Sequence, residues 1–133
     1  MACPRELGEM KELAAQDDAV LYVSDEGGVW QDSIDVNRLL LHAGLPGLES
    51  MGGKTNLDAL GDLCPKDNVD LIVIEGGEKS NPLEYGICEV CGGLWIELGL
   101  DPEEVDAGTA QAATVEFFRD FHRGSSPLRS ART

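Results

Sequence analysis

Two segments of the chain match each other closely enough to dictate its organisation. Gly27-Gly28-Val29-Trp30 and Gly92-Gly93-Leu94-Trp95 close two stretches that open with Cys3-Pro4-Arg5-Glu6 and Cys64-Pro65-Lys66-Asp67. The openings lie 61 residues apart and the closings 65, so the second stretch carries a four-residue insertion. Both tryptophans of the protein fall at the same repeat position, and an acidic residue follows each by two, Asp32 and Glu97. Matches at both ends of two stretches are the signature of one unit copied twice.

Each copy reads as a Cys-Pro turn, a hairpin and a helix. The hairpin strands are expected at 9–14 and 19–23 in the first copy, and at 70–75 and 83–88 in the second. Polar loops at 16–18 and 76–82 join them. The Gly-Gly pairs then allow tight backbone turns that other residues resist. In the first copy Ser33 is the expected helix N-cap. Ile34, Leu40 and Leu41 follow at helical spacing, and Gly44 and Pro46 end the helix. In the second copy Asp101 caps, Pro102 sits in the first turn, and Glu103 and Glu104 complement the helix dipole. The pattern runs through Val105, Ala112, Val115, Phe118 and Phe121 to Gly124. Residues 45–53 read as a linker and 56–63 as one short helix.

Cys88-Glu89-Val90-Cys91-Gly92-Gly93 carries the chemistry. Two residues between cysteines place both sulfurs on one side of a tight turn, and Zn²⁺ takes four ligands at tetrahedral corners. Cys64 offers a third thiolate from the facing turn. A regular ribbon would have a fourth cysteine three residues later, where this chain has Asp67. A carboxylate binds zinc, but Asp is also a common turn former, so Asp67 stands as ligand or as turn residue. Three thiolates and one carboxylate on a divalent ion leave the same charge as four thiolates. An iron–sulfur cluster would need four well-placed thiolates. At the matching positions the first copy has Cys3, Glu6, Val23 and Glu26, a poor zinc set, so that copy is expected to fold without metal. Cys3 swinging across to complete the second site is the remoter arrangement.

The run from Cys64-Pro-Lys-Asp67 through Cys88-x-x-Cys91-Gly-Gly-Leu-Trp95-Ile-Glu97 resembles the small bacterial transcription-factor zinc fingers of TFIIB type, over about residues 62–106. The first copy is similar only as a degenerate version. The chain departs from that pattern in having Asp67 for the fourth cysteine and Val90 for a proline. The resemblance implies a zinc ribbon-like fold with metal ligands at Cys64, Asp67, Cys88 and Cys91. The expected class is therefore α+β: a duplicated zinc ribbon-like unit, hairpin followed by helix, with a long C-terminal helix. Residues 1–50 would form the metal-free unit, 51–124 the zinc-binding unit with its helix, and 125–133 a disordered basic tail.

Composition narrows the function. The formal net charge is −15, and residues 1–118 hold 6 basic against 24 acidic side chains. Such a surface repels phosphate backbones, which are bound mainly by Lys and Arg. Residues 119–133 hold 4 Arg and 1 Asp, so a nucleic-acid-binding regulator acting through this tail is one alternative. Aromatics make up only 5% of the chain, and a core this thin gains from a metal or a partner. Phe117, Phe118 and Phe121 are expected to fill that core, with Trp30 and Trp95 as anchors rather than stacking platforms. His42 and His122 read as solvated helix residues.

The longest apolar run, Leu71-Ile72-Val73-Ile74, is far short of a membrane span. No signal peptide is evident, so a cytoplasmic protein is expected. In that compartment paired cysteines indicate metal or redox chemistry rather than structural disulfides. No phosphate-cradling loop and no Ser/His/Asp set is evident, which points away from an enzyme. The leading reading is a non-enzymatic zinc-binding module that offers an acidic surface to another protein, either an unknown partner or a second copy in a homodimer. A thiol redox protein using Cys88 and Cys91 is the other alternative. Glu84, Glu89 and Glu97 argue against it, since nearby carboxylates disfavour a thiolate.

Overall fold

The computed structural model describes residues 10–15, 19–56 and 62–125, and its centre is made of the two Gly-aliphatic-Trp segments. The first glycine of each pair makes the expected turn (Gly27 φ 90°, Gly92 φ 77°), and the second opens a strand. β3 (Gly28–Asp32) and β7 (Gly93–Glu97) pair antiparallel with Trp30 opposite Trp95. Around them lie β1 (Lys11–Ala14), β2 (Val20–Val23), β4 (Lys54–Asn56), β5 (Ile72–Glu78) and β6 (Asn81–Ile87). The seven form one antiparallel sheet in the order β1-β2-β3-β7-β6-β5-β4. Two helices, α1 (Ser33–His42) and α2 (Ala107–Ser125), make the fold α+β with a long C-terminal helix.

The central pairing has a two-fold pattern. Gly28 faces Glu97 while Gly93 faces Asp32. One bond beyond each end, the Ser33 amide donates to the Gly92 carbonyl (2.9 Å) and the Leu98 amide to the Gly27 carbonyl (3.3 Å). Side chains alternate across a strand, so the tryptophans point one way and their neighbours the other. The close approach of the two halves explains the glycines. A Cβ on Gly28 would come within 2.2 Å of the Trp95 ring, and one on Gly93 within 2.0 Å of the Trp30 ring. Each of the two strands leaves a gap at its first residue where the other strand's indole lies.

The helix face of the sheet carries most of the apolar core. Val36, Leu40, Met51, Tyr85, Leu94, Ile96, Phe118 and Phe121 form one buried cluster. Tyr85 meets Phe118 and Phe121 edge to face at 5.1 and 5.4 Å between centroids, a favourable aromatic geometry. Phe117 is half-buried at the margin of the same cluster. A second cluster joins Leu21, Val23 and Val29 to Val105 and Ala110.

One buried polar pair interrupts this face. Gln31 Nε2 donates to Thr114 Oγ1 (2.8 Å), whose hydroxyl donates to the Ala110 carbonyl (2.9 Å). Both side chains are buried. Thr114→Val keeps the shape and removes the acceptor, leaving a buried amide proton unpaired. The expected loss is about 1–3 kcal/mol of unfolding free energy by denaturant titration. A loss below about 0.5 kcal/mol would mean that the bond contributes nothing.

Several local expectations are corrected. The hairpin β5–β6 turns on Lys79 and Ser80 alone, because both strands extend into what read as a polar loop. Asp32, not Ser33, caps α1: its backbone is extended and its Oδ1 accepts the Ile34 amide at 2.8 Å. Val36 and Leu40 are the buried residues of α1, while Ile34 and Leu41 are exposed. α2 begins at Ala107, five residues after Pro102, with the Asp106 carboxylate accepting the Thr109 amide (2.7 Å). Asp101 closes only the preceding turn.

The stretch at 45–53 contains a short 3₁₀ helix, Leu48–Ser50, and the fully buried Met51. Of the helix expected at 56–63, Asn56 belongs to β4 and Leu63 to an isolated bridge with Asp70; 57–61 lie outside the described residues. His122 is half-buried, with Nδ1 3.0 Å from the Met51 carbonyl oxygen. The loop at 16–18 and the tail beyond Ser125 also lie outside the described residues. Among the described residues no helix is long and apolar enough to cross a membrane.

Candidate metal centre

Opposite the helices, Trp30 and Trp95 pack with Met10, Leu71, Cys64 and Cys88. Two tight turns bring the sulfurs there. In the first, the Cys64 amide donates to the Val69 carbonyl (2.8 Å) and the Asn68 amide to the Cys64 carbonyl (2.9 Å). Asn68 takes a left-handed backbone (φ 55°), which asparagine tolerates better than most residues. The amides of Lys66 and Asp67 both point at the Cys64 sulfur, each 3.4 Å away. In the second turn, the Cys88 amide donates to the Gly93 carbonyl and the Gly92 amide to the Cys88 carbonyl, both at 2.9 Å. Gly92 has φ 77°, a conformation that costs glycine little.

These turns converge. One donor atom from each of Cys64, Asp67, Cys88 and Cys91 lies within 4.8 Å of the others. Cys64 and Cys91 sulfurs are 3.6 Å apart, and Asp67 Oδ2 is 3.7 Å from the sulfurs of both Cys64 and Cys88. Zn–S bonds of ~2.3 Å would put tetrahedral sulfurs about 3.8 Å apart. The donor set therefore fits a tetrahedral ion in both spacing and chemistry.

Electrostatics give the same picture. Burial works against ionisation of Cys88, yet the backbone amides of Cys91 and Val90 draw its thiol below the ordinary value. Cys91 is pushed up to about 12, first by burial, against the Gly93 amide, and further by the neighbouring thiols and Asp67. A bound cation inverts that balance and holds thiolates ionised.

The four residues singled out from the sequence are thus together. Cys3 and Glu6 lie outside the described residues, as does any approach of Cys3 to the site. In the first copy Val23 is buried among Leu21, Val29 and Val105 in the cluster reached by α2, away from the turn that matches the knuckle. The backbone counterpart of Cys88 is Ser24. Its amide donates to the Gly28 carbonyl and its carbonyl accepts the Gly27 amide, both at 2.9 Å. The Ser24 hydroxyl also accepts the Gly28 amide at 2.9 Å. The first turn is one residue shorter, so aligning the copies at Gly-Gly shifts the match by one.

Sequence reasoning did not find what lies beside Cys91. A cavity of about 190 Å³ is lined by that residue and Lys66 together with Tyr22, Trp30, Asp32 and Asp35. The last four come from a segment more than 50 residues before Cys91, and no local pattern signals their approach. Trp95 Nε1 is buried with no hydrogen-bond partner among the described residues. Comparisons of the chain with protein-family models, with curated proteins and with solved structures each return no match.

Proposed function

We propose that Cys64, Asp67, Cys88 and Cys91 hold one structural Zn²⁺, and that the protein is a non-enzymatic module whose rigid acidic surface binds another protein. The observation that supports this reading most directly is the convergence of three thiols and a carboxylate within 4.8 Å. Four protein donors leave no open coordination position, and closed zinc sites serve structure rather than catalysis. The ion would tie the Cys64 turn to the knuckle between β6 and β7. Thiolate ligands suit a reducing compartment such as the cytoplasm.

In the same reading the chain is a tandem duplication of a zinc ribbon-like unit, related to the TFIIB-type zinc fingers. The mutual register of β3 and β7 supports it, since Trp30 faces Trp95 and each copy's glycine accommodates the other's indole. The first copy would retain the fold with Ser24 where the second has a ligand. The net charge of −15 favours a basic protein partner over nucleic acid.

Native mass spectrometry with metal analysis tests the site. The expected result is one zinc per chain in protein purified without chelators. Asp67→Ala is expected to retain the ion but release it to a competing chelator at least about tenfold more readily. Absence of zinc from mildly purified protein that rebinds none on titration would overturn the proposal.

A further inference from the structure

The three thiols differ in access. Cys64 and Cys88 are 2% and 1% exposed. Cys91 is half-buried and is the one of the three that lines the 190 Å³ cavity. That cavity is polar, with Asp32, Asp35, Lys66 and the ring of Tyr22 around it, and its size admits a small polar molecule. The Cys91 sulfur has the Cys64 sulfur only 3.6 Å away. A disulfide needs about 2.05 Å, so the two sulfurs must close by roughly 1.6 Å.

From these observations we infer that Cys91 is a modification site for small hydroperoxides, with Cys64 as its resolving partner. A bound cation would hold Cys91 as the thiolate against the burial that otherwise favours its thiol, and this thiolate attacks one oxygen of hydrogen peroxide. An S–O bond forms, the O–O bond breaks, hydroxide leaves, and Cys91 becomes a sulfenic acid. The Cys64 thiolate then attacks the Cys91 sulfur, the S–S bond forms, and a second hydroxide leaves. Two thiolates have given up two electrons, and the peroxide has become two hydroxides that take protons from the solvent. Cys88 and Asp67 remain as two donors, too few to retain a tetrahedral ion.

The geometry assigns a structural consequence as well. The new bond joins the same two turns that the ion would join. Oxidation therefore exchanges one staple for another, and the sheet survives it. The pairing is Cys64 with Cys91, across the two turns, rather than Cys88 with Cys91 within one. Ionisation of Cys91 and release of the ion rest on the zinc reading above; the Cys64–Cys91 pairing does not.

The test treats the full-length protein with hydrogen peroxide in the presence of dimedone, which traps sulfenic acids, and in its absence. Peptide mapping follows both, with a chromogenic chelator reporting zinc and far-UV circular dichroism reporting the fold. The expected results are the dimedone adduct on Cys91 and, without dimedone, a Cys64–Cys91 disulfide that dithiothreitol reverses. One zinc should be released per disulfide, with the dichroism unchanged. In Cys91→Ser, oxidation of the remaining thiols should slow at least about tenfold, as their burial predicts. If that variant does not fold, the adduct map of the wild-type chain decides alone. A first adduct on Cys64 or Cys88, a Cys88–Cys91 disulfide, or loss of the dichroism on oxidation would overturn the inference. Protein that holds no zinc but yields the Cys91 adduct and the Cys64–Cys91 bond would overturn the zinc reading and leave this one standing.

Discussion

Gly93→Ala is expected to lower the unfolding free energy by about 3 kcal/mol or more, near the top of the range for overpacked interiors. The added Cβ would overlap the Trp30 ring at Cζ2, Cη2 and Cε2. That ring is 2% exposed and is held between β2 and β7, with Tyr22 opposite it on one side and Trp95 on the other. It has no free direction in which to retreat, unlike the end of a flexible side chain. Gly28→Ala should behave alike through Trp95, which is 4% exposed. A fall in melting temperature on the order of 10 °C is expected for each.

The diagnostic lies in the pairing. Trp30→Phe removes the atoms that the Gly93 methyl would strike, so the double variant should recover at least about 1 kcal/mol relative to additivity. Gly28→Ala should couple to Trp95→Phe in the same way. The crossed combinations, Gly93 with Trp95 and Gly28 with Trp30, should show smaller coupling. Equal coupling in all four combinations would show that the interlock between β3 and β7 does not set the cost.

On the zinc reading proposed above, removing the ion is the second large effect. A ligand that binds only the folded state at about 1,000 times its dissociation constant adds roughly 4 kcal/mol, and structural zinc sites commonly exceed that. A strong chelator is therefore expected to lower stability by at least about 4 kcal/mol. The loss should be felt first on the face that carries the tryptophans. Cys64 and Cys88 share a buried cluster with Trp30 and Trp95, so indole fluorescence should change as the ion leaves. The helix face, built on Phe118 and Phe121, should retain its amide protection longest. Cys64→Ser should reproduce the chelator's effect, and Asp67→Cys should raise the resistance to it. Melting and fluorescence unaltered by a chelator, in protein shown to carry zinc, would mean that the ion is not a staple.

The repeated motifs, the four candidate donors and the long C-terminal helix were legible in the sequence because they depend on short-range chemistry. Cysteines two residues apart lie on one turn wherever that turn occurs, and Phe118 and Phe121 share a helix face by spacing alone. The position of Asp67 beside the sulfurs was legible as an option, since its interval from Cys64 is that of a ribbon ligand.

Tertiary structure alone decided the rest. Gly27 and Gly92 make the turns that a Gly-Gly pair suggests, but Gly28 and Gly93 open strands, because each makes room for an indole from the other half of the chain. Asp32 took the cap from Ser33 because the Ser33 amide completes the central ladder at Gly92. The segment at 45–53 lost its linker character when Met51 was drawn under Phe121 and its neighbours. The cavity at Cys91 arose where Tyr22, Trp30, Asp32 and Asp35 lie against the Cys88–Cys91 knuckle. Local sequence sets what each segment can do; contacts between segments distant in the chain set which of those options is taken, because burial and close packing are gained only when the two halves meet.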